Sequence, residues 1–318
     1  MFTVSDRKNF DVSSIPDQSG KSILITGANN GLGLRSATEL ARAGARILLA
    51  CRNQDKAATA LEKVVAVSPG NADHRVIALD LSDLSSVRDA AERARDTAPV
   101  LDVLVNNAGL MAIPFARTVD GFEMQLGTNH FGHFALTDAL LPSLMAAPAP
   151  RVVSLASVAH RRGSVDLDDL NYEHREYDRM GAYAQSKLAN LLFSGELARR
   201  SERAGGHLTA VAAHPGIAAT NLFDSMVPPI PGALALTHLG LKIFGNDELG
   251  GALSQLYAAT MPDVRNDDYL GPNEFGGARG PVRRSPRTKA AADTELAAGL
   301  WEKSVAATGA TYEGLSSL

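Results

Sequence analysis

The chain has 318 residues, a net charge of −4 and a single cysteine, Cys51. This length fits one α/β domain, because α/β sheets of roughly 250 residues are common as single domains. The charge gives no general attraction to nucleic acid or anionic membranes, and one cysteine excludes an internal disulfide and a thiolate zinc cluster. The N-terminal segment 1–19 is a polar extension, and no run approaches the roughly 18 apolar residues of a membrane helix, so we expect a cytoplasmic protein without a membrane span.

Short β-rich runs alternate with helical patterns along most of the chain. Strands are predicted at Ser22–Thr26, Arg46–Ala50, Arg75–Leu79, Val103–Asn106, Arg151–Leu155 and Leu208–Ala213. Helices are predicted between them at Leu32–Ala43, Asp55–Val67, Leu84–Ala98, Phe122–Ala146 and Ala182–Arg200. Strands that are separated by helices of about ten or more residues imply right-handed crossovers and a parallel sheet. We therefore expect a single doubly wound Rossmann-type α/β domain over residues 20–318, with a central parallel sheet of about seven strands and helices on both faces.

Three stretches near the C-terminus depart from this alternation. Residues 223–251 hold three prolines followed by an apolar amphipathic run, and we predict a lid or substrate loop at about residues 217–250. A helix packed on the core, or a contact with a membrane or partner, is the alternative for this stretch. The runs Arg279–Arg287 and Ser304–Leu318 are predicted as a solvated loop and a surface extension.

The turn after the first predicted strand reads TGANNGLG, from Thr26 to Gly33. Gly27 permits a sharp turn with positive φ, and the two later glycines let the backbone approach a ligand without Cβ atoms in the way. The helix that follows presents free N–H groups and the positive end of its dipole, which suits a pyrophosphate. Leu and Arg follow the last glycine, which excludes a phosphate-binding loop of the Lys-Ser/Thr type.

The end of the second predicted strand bears on which dinucleotide this turn would bind. NAD-dependent enzymes usually place an acid there, about 20 residues after the glycines, to bind the ribose 2′-hydroxyl. This chain has Ala50 and Cys51 at that point, followed by Arg52, whose forked donors suit the 2′-phosphate of NADP. Arg35, in the first turn of the first helix, is a second candidate cation. Asp80, after the third strand, is a candidate acceptor for the adenine amino group.

Four polar residues form the candidate chemical site. Tyr183 and Lys187 are four apart in GAYAQSKLAN and share one helix face, where an ammonium group would lower the pKa of the phenol. Ser157 follows the fifth strand, where its hydroxyl would hold a carbonyl oxygen, although capping a turn is an alternative role. Asn129 lies inside a predicted helix, where asparagine is unfavourable, and this local misfit indicates a special role.

Together these motifs resemble the short-chain dehydrogenase/reductase family, from about residue 22 to residue 259. The resemblance rests, in chain order, on TGANNGLG at Thr26–Gly33, NNAG at Asn106–Gly109, YAQSK at Tyr183–Lys187 and HPG at His214–Gly216. Within the family, LLACRN, NHFGHFALT and YAQSKLANLLF look most like the branch that holds retinol dehydrogenases and protochlorophyllide reductases.

The resemblance implies a role for each matching residue. Tyr183 would be the general acid in reduction or the base in oxidation, and Lys187 would lower its pKa and bind the nicotinamide ribose. Ser157 would orient the substrate oxygen, and Asn129 would hold a water that relays protons. The residues implied to bind the cofactor are Gly27, Asn29, Asn30, Gly31, Leu32, Gly33, Arg52, Asp80, Leu81, Asn107, Ala108, Gly109, Tyr183, Lys187, Pro215, Gly216, Ile217 and Thr220.

These features together predict an NADP(H)-dependent oxidoreductase, with NAD less favoured, that interconverts a ketone or aldehyde and an alcohol on a hydrophobic small molecule. The apolar segment Val227–Phe244 is the feature that favours a hydrophobic substrate. Reduction of an activated C=C bond and a non-catalytic nucleotide sensor are the alternatives. Family members are often homodimers or homotetramers, so the resemblance allows either assembly here.

Two histidines in NHFGHF have a spacing that resembles a metal-binding pair. His130 and His133 are three residues apart, but the sequence offers neither an acid nor a third ligand near them. The family resemblance implies that both are packing residues of a helix. We therefore expect no metal.

Overall fold

The computed structural model describes residues 9–217 and 246–315, which form an eight-stranded sheet with helices on both faces. The strands are β1 Ser22–Thr26, β2 Arg46–Cys51, β3 Arg75–Ala78, β4 Val103–Asn106, β5 Arg151–Leu155, β6 Thr209–Ala213, β7 Tyr269–Glu274 and β8 Arg279–Arg284. Their order across the sheet is β3-β2-β1-β4-β5-β6-β7-β8, and only β8 runs antiparallel to its neighbour. The predicted doubly wound α/β fold is confirmed, with an antiparallel strand at one edge.

Helices connect the parallel strands and cover both faces of the sheet. They are α1 Gly31–Arg42, α2 Gln54–Val67, α3 Leu84–Thr97, α4 Met124–Leu126, α5 Gly132–Met145, α6 Arg179–Arg203, α7 Glu248–Thr260 and α8 Thr294–Thr308. A 3-10 helix, Val158–Arg162, follows β5. Within the described ranges, no helix is long and apolar enough to cross a bilayer.

Alternate residues of the central strands enter two cores, one on each face of the sheet. In β1, Ile23 and Ile25 pack into one core, whereas Leu24 packs into the other. A strand that is covered on both faces is apolar throughout rather than alternating. This is why the predicted strands are mostly apolar and show no alternation of polar and apolar residues.

The position of β1 creates the crevice that holds the candidate site. β1 pairs with β2 on one side and with β4 on the other. The connections after these strands therefore leave the sheet in opposite directions, which opens a crevice at the carboxyl ends of β1 and β4. Open α/β sheets bind their ligands in such a crevice.

The helix predicted at Phe122–Ala146 is interrupted near its start. α4 is followed by a π-helical turn, Gly127–Phe131, before the α-helix resumes as α5. Asn129 lies in this turn, which explains why an asparagine interrupts a helical pattern. π-helical turns within α-helices are frequent at functional sites.

Two predictions for the C-terminal region are wrong. The run that begins at Arg279 forms β8, which pairs with β7, rather than a solvated loop. The last residues are not a surface extension, because Ser304 lies in α8, its hydroxyl is 2.8 Å from His130 Nε2, and Tyr312 is buried against Phe134 and Trp301. Their apolar partners are distant in sequence, so no local pattern indicated this burial.

The predicted lid at 217–250 lies mostly outside the described residues. Thr220 and the segment Val227–Phe244 are among the residues not described. Of the described part, Ile217 follows β6 closely, and residues 248–250 begin α7.

Candidate active site

A cavity of about 1280 Å³ opens at the carboxyl ends of the central strands. Nearly all of the residues predicted to bind a cofactor or substrate line it together. They are Gly27, Asn29, Asn30, Gly31, Leu32, Gly33, Arg52, Asp80, Leu81, Asn107, Ala108, Gly109, Ser157, Tyr183, Lys187, Pro215, Gly216 and Ile217. Of the predicted site residues that the structure describes, Asn129 does not line the cavity.

The glycine turn is enclosed by other backbone. A Cβ on Gly33 would overlap the carbonyl oxygen of Gly27 and would lie 2.6 Å from Asn107 Nδ2. Gly27 has a φ of +66°, and a Cβ there would lie 3.0 Å from that of Ala108. Side chains therefore do not fit between β1, α1 and the loop after β4, and the backbone itself forms this part of the cavity wall.

The N-terminus of α1 differs from those of the neighbouring helices. The side chains of Asn53, Asp83 and Asp178 accept hydrogen bonds from the first turns of α2, α3 and α6. The N-cap of α1 is Asn30, whose side chain accepts no such bond. The free N–H groups of this first turn, together with the helix dipole, make an anion-binding position at the cavity wall.

Thr26 joins the glycine turn to the loop after β4. Its hydroxyl oxygen accepts hydrogen bonds from the N–H groups of Asn107 and Ala108, both at 2.9 Å. The hydroxyl donates to His133 Nε2 at 2.9 Å, because His133 Nδ1 donates to the carbonyl oxygen of Asn129 at 3.0 Å. Burial lowers the pKa of His133 to about 4, so the ring is neutral at pH 7. His133 is thus a hydrogen-bonded link between β1 and the π-helical turn.

Two cations line the cavity beyond the end of β2. The Arg52 side chain is 70% exposed and lies 3.8 Å from Asp80, which is a loose ion pair. Lys56, in the first turn of α2, lines the same cavity. Arg35, the second cation expected from the sequence, pairs with Glu39 at 2.9 Å and does not line the cavity. Lys56 was missed, although its position in the first turn of the helix that follows Arg52 was a usable signal.

Asp80 and Cys51 lie beside these cations, and the structure constrains each of them. Asp80 Oδ1 accepts hydrogen bonds from the N–H and hydroxyl of Ser82 at 2.9 and 2.6 Å, which holds the carboxylate against the loop. Burial raises the pKa of Cys51 to about 11, so its thiol stays protonated and is a poor nucleophile.

Tyr183 and Ser157 are hydrogen-bonded in the cavity. Ser157 begins the 3-10 helix after β5, where its side chain accepts from the Ala159 N–H at 3.2 Å. Burial raises the pKa of Tyr183, and the hydrogen bond with Ser157 partly offsets this rise. Ser157 therefore caps a turn beside the phenol, while its role in holding a carbonyl oxygen stays a prediction.

Lys187 lies one helical turn after Tyr183, with Nζ 5.8 Å from the centre of the tyrosine ring. Its ammonium group donates to the carbonyl oxygen of Leu155 at 3.1 Å, and burial lowers the pKa of Lys187 to about 8. The lowering of the Tyr183 pKa by the Lys187 ammonium group, which the sequence led us to expect, stays a prediction.

Asn129 holds the loop after β4 against α6. Leu110 N donates to Asn129 Oδ1 at 2.7 Å, and Asn129 Nδ2 donates to Leu110 O at 2.9 Å and to Ser186 Oγ at 2.8 Å. Ser186 in turn donates to the carbonyl oxygen of Tyr183 at 2.8 Å. Asn129 thus contacts the backbone that carries Tyr183, while the proposed water relay stays a prediction.

The loop after β6 is fixed by His214. Gly216 N donates to His214 Nδ1 at 3.3 Å, so the proton lies on Nε2, which donates to Ser285 Oγ at 2.9 Å. A Cβ on Gly271 would overlap the His214 ring, which requires glycine in β7. These contacts hold Pro215, Gly216 and Ile217 at the cavity wall.

Sequence reasoning missed several other residues that line the cavity. Met180 lies at the start of α6, and Phe275, Gly276 and Ala278 belong to the hairpin between β7 and β8. The Gly-Gly pair at 276–277 was a local turn signal. Nothing local showed that this turn meets the loop of Ser157.

The fold and the cavity define a dinucleotide-binding α/β enzyme, and comparison with known proteins gives its family. The family model described as short chain dehydrogenase matches residues 21–229. Mouse retinol dehydrogenase 14 is 41% identical over 254 residues, which cover 77% of this chain and 75% of that protein. Human retinol dehydrogenase 13 is 45% identical over 205 residues, or 64% of this chain and 60% of that protein. The chain therefore belongs to the short-chain dehydrogenase family and is an oxidoreductase.

Solved structures agree with this assignment. A protein from Mycobacterium paratuberculosis is 41% identical and superposes with a TM-score of 0.79, with 96% of this chain and 99% of that chain covered. A short chain dehydrogenase from Shigella flexneri, solved as a complex with NADP, is 23% identical and has a TM-score of 0.58 over 79% of this chain and 95% of that chain. The second likeness shows the fold alone.

Proposed function

We propose that this protein is an NADP(H)-dependent oxidoreductase that interconverts a ketone or aldehyde and an alcohol on an apolar small molecule. The observation that carries the proposal is the Ser157–Tyr183 pair, with Lys187 one turn further, in the same cavity as the uncapped α1 terminus. An anion position and a proton donor thus share one crevice. This is the arrangement that carbonyl reduction by a dinucleotide requires.

In this proposal the chain's own residues position the substrate and move the proton. A bound nicotinamide supplies the hydride. The Tyr183 phenol, kept protonated by burial, donates its proton to the developing alkoxide, and Ser157 donates a hydrogen bond to the same oxygen. Lys187, with a pKa near 8, is mostly charged at pH 7 and stabilises the phenolate that remains.

The preference for NADP rests on the cations beyond β2. Arg52 is largely exposed and only loosely paired, and Lys56 lines the cavity beside it. A guanidinium fork and an ammonium group suit a 2′-phosphate, which carries charge that a 2′-hydroxyl lacks. The apolar preference of the substrate site is supported by Met180 and Ile217, two of the large exposed hydrophobic residues, which both line the cavity, and by the relatives named for retinol.

Replacing Tyr183 by Phe tests the mechanism. We expect kcat/KM with NADPH and a panel of aldehydes and ketones to fall by roughly a hundredfold to ten-thousandfold, because the general acid is lost. Binding of NADPH, measured by fluorescence titration, should persist. Tyr257→Phe removes a phenol hydroxyl on α7 that is outside the cavity lining, and it is the matched control. Unchanged turnover in Tyr183→Phe would overturn the mechanism, and turnover of enones but of no saturated carbonyl compound would favour C=C reduction.

Replacing Arg52 or Lys56 by Gln tests the choice of dinucleotide. We expect the Kd for NADPH to rise by roughly tenfold or more in each variant, because a charge-assisted hydrogen bond is lost, while the Kd for NADH stays constant. Arg35→Gln, which removes a cation paired with Glu39, is the control. Wild-type protein that binds NADH as tightly as NADPH would contradict this part of the proposal.

A cytoplasmic location and a homodimeric or homotetrameric assembly remain predictions from the sequence. Size-exclusion chromatography with light scattering measures the second directly.

A further inference from the structure

We infer that Phe275, at the tip of the β7–β8 hairpin, contacts the substrate and sets a preference for carbonyl compounds with a bulky apolar group. We also infer that Arg161 is the residue that positions this hairpin over the site. The inference rests on the proposed carbonyl–alcohol chemistry and adds a specificity-determining residue outside the motifs of the sequence.

The hairpin tip has an unusual backbone. β7 ends at Glu274 and β8 begins at Arg279. Between them Phe275, Gly276 and Gly277 have φ values of +49°, +70° and +91°. Glycine adopts this left-handed region freely, whereas a phenylalanine there is strained.

Phe275 combines this backbone strain with exposure of its ring. Its side chain is 80% exposed, the highest value among the large hydrophobic residues that the structure describes. Strain and exposed apolar area both disfavour the folded state, so neither accounts for a phenylalanine at this position through stability. Strained residues cluster at ligand-binding positions, and Phe275 lines the same cavity as Ser157 and Tyr183.

Arg161 fixes the hairpin tip to the loop of Ser157. It lies in the 3-10 helix that begins directly after Ser157, and its Nη1 donates to the carbonyl oxygen of Gly276 at 2.7 Å. A Cβ on Gly277 would lie 3.4 Å from the Val158 side chain, so the hairpin tip lies against that side chain. The residue that follows Phe275 is thus bonded to the same short helix that presents the catalytic serine.

A second set of hydrogen bonds fixes the other end of the tip. Ile217 N donates to the carbonyl oxygen of Ala278 at 3.0 Å, and Asn246 Nδ2 donates to the same oxygen at 3.1 Å. A Cβ on Gly216 would overlap this oxygen. The tip is therefore held between the loop after β5 and the loop after β6, and Phe275 is presented to the cavity on a fixed frame.

The apolar residues on this side of the cavity fit an apolar group of the substrate. Phe275, Met180 and Ile217 are all large exposed hydrophobic residues that line the cavity. Such residues scattered singly over a surface are ordinary, but their convergence on one cavity marks a binding site. An apolar group attached to the reacting carbonyl carbon would cover them while its oxygen is bonded by Tyr183 and Ser157.

Replacing Phe275 by Asn separates this role from a structural one. Asparagine tolerates the left-handed region, so the variant keeps the backbone and removes the ring. With NADPH, we expect kcat/KM for decanal to fall roughly tenfold, mainly through KM, because an apolar contact of that size corresponds to about 1.4 kcal/mol. The kcat/KM for propanal should stay within twofold of wild type, and the thermal midpoint should stay equal or rise, because strain is relieved.

Two further variants complete the test. Val119→Asn removes another apolar side chain, which is 79% exposed and lies outside the cavity lining. This variant should change kcat/KM for neither aldehyde. Arg161→Met should lower kcat/KM for decanal severalfold in the wild-type background, yet should add little in the Phe275→Asn background, because the arginine acts through the hairpin tip.

The outcomes distinguish the inference from the function on which it rests. If wild-type protein reduces no aldehyde or ketone of the panel, the proposed function fails and the inference fails with it. If wild type reduces both aldehydes and Phe275→Asn affects both equally or neither, the role of Phe275 is wrong while the function stands. A thermal midpoint that falls further in Phe275→Asn than in Val119→Asn shows that the ring packs on the chain, and it also overturns the inference.

Discussion

The turn after β1 and the turn between β7 and β8 use the same left-handed backbone with different residues. In the first turn, Gly27 and Gly31 have φ values of +66° and +49°. In the second turn, the value of +49° belongs to Phe275. A Cβ on Gly27 would lie only 3.0 Å from that of Ala108, whereas the Phe275 side chain is exposed and lines the cavity. A positive φ thus accompanies close approach in the first turn and side-chain presentation in the second.

This difference explains which turn the sequence predicted. The first turn is enclosed in part by Asn107 and Ala108, which are distant in sequence, but the spacing of its glycines is itself a local pattern that indicates the geometry. The second turn gains its meaning from Arg161 and Ile217, which belong to loops after β5 and β6. A local pattern contains the first kind of information and lacks the second.

The largest effect that tests this comparison is expected for Gly33→Ala. The added Cβ would overlap Gly27 O and crowd Asn107 Nδ2, so the turn must move. Overpacking of this kind costs about 1–3 kcal/mol of unfolding free energy, and displacement of the α1 terminus should abolish NADPH binding. Urea unfolding and fluorescence titration measure the two effects. Gly70→Ala, at a left-handed glycine with nothing within 4 Å, is the control and should leave binding intact. Retained NADPH affinity in Gly33→Ala would contradict the steric account of the first turn.

A pH-dependent effect of intermediate size is expected from two buried histidines, one near each of the two turns. Burial lowers the pKa of His133, beside the first turn, to about 4, and that of His214, behind the second, to about 3. In the unfolded chain both have a pKa near 6.5, so between about pH 6.5 and pH 4 the unfolded state binds protons that the folded state does not. The unfolding free energy should therefore fall with decreasing pH, by up to about 1.4 kcal/mol per pH unit for each histidine.

Urea unfolding of wild type at several pH values between 7 and about 4.5 measures this slope. His133→Gln and His214→Gln should each flatten it. Equal slopes in wild type and in both variants would show that the two buried rings titrate normally.

The smallest effect is expected for Gly276→Ala in the second turn. Gly276 has a φ of +70° and nothing within 4 Å of an added Cβ, so only the conformational cost applies. We expect a loss of roughly 1 kcal/mol of unfolding free energy, with NADPH binding unchanged. Urea unfolding and fluorescence titration again provide the measurements. A loss as large as that of Gly33→Ala would mean that the second turn is as tightly enclosed as the first.

The order and type of the central elements could be predicted from the sequence, because each depends on local periodicity. The strands from Ser22 to Ala213 were located to within a residue, since a strand covered on both faces is apolar throughout. The sequence also predicted the glycine turn, Arg52, and the shared helix face of Tyr183 and Lys187. The reason is the same, because helix periodicity and turn chemistry depend on only a few neighbouring residues. These features were enough to indicate a dinucleotide-binding enzyme and its family.

Other features were decided only by tertiary structure, because they depend on groups that are distant in sequence. The raised pKa of Tyr183 follows from burial of its phenol, which a spacing does not reveal. The role of Asn129 in holding the loop at Leu110 depends on a π-helical turn that places its amide there. Likewise, Phe275 reaches the cavity because Arg161 bonds the hairpin to the serine loop. The local sequence thus determined the order of the strands and helices and the positions of the candidate site residues. Long-range contacts determined the pKa shifts of these residues and which side chains complete the lining of the cavity.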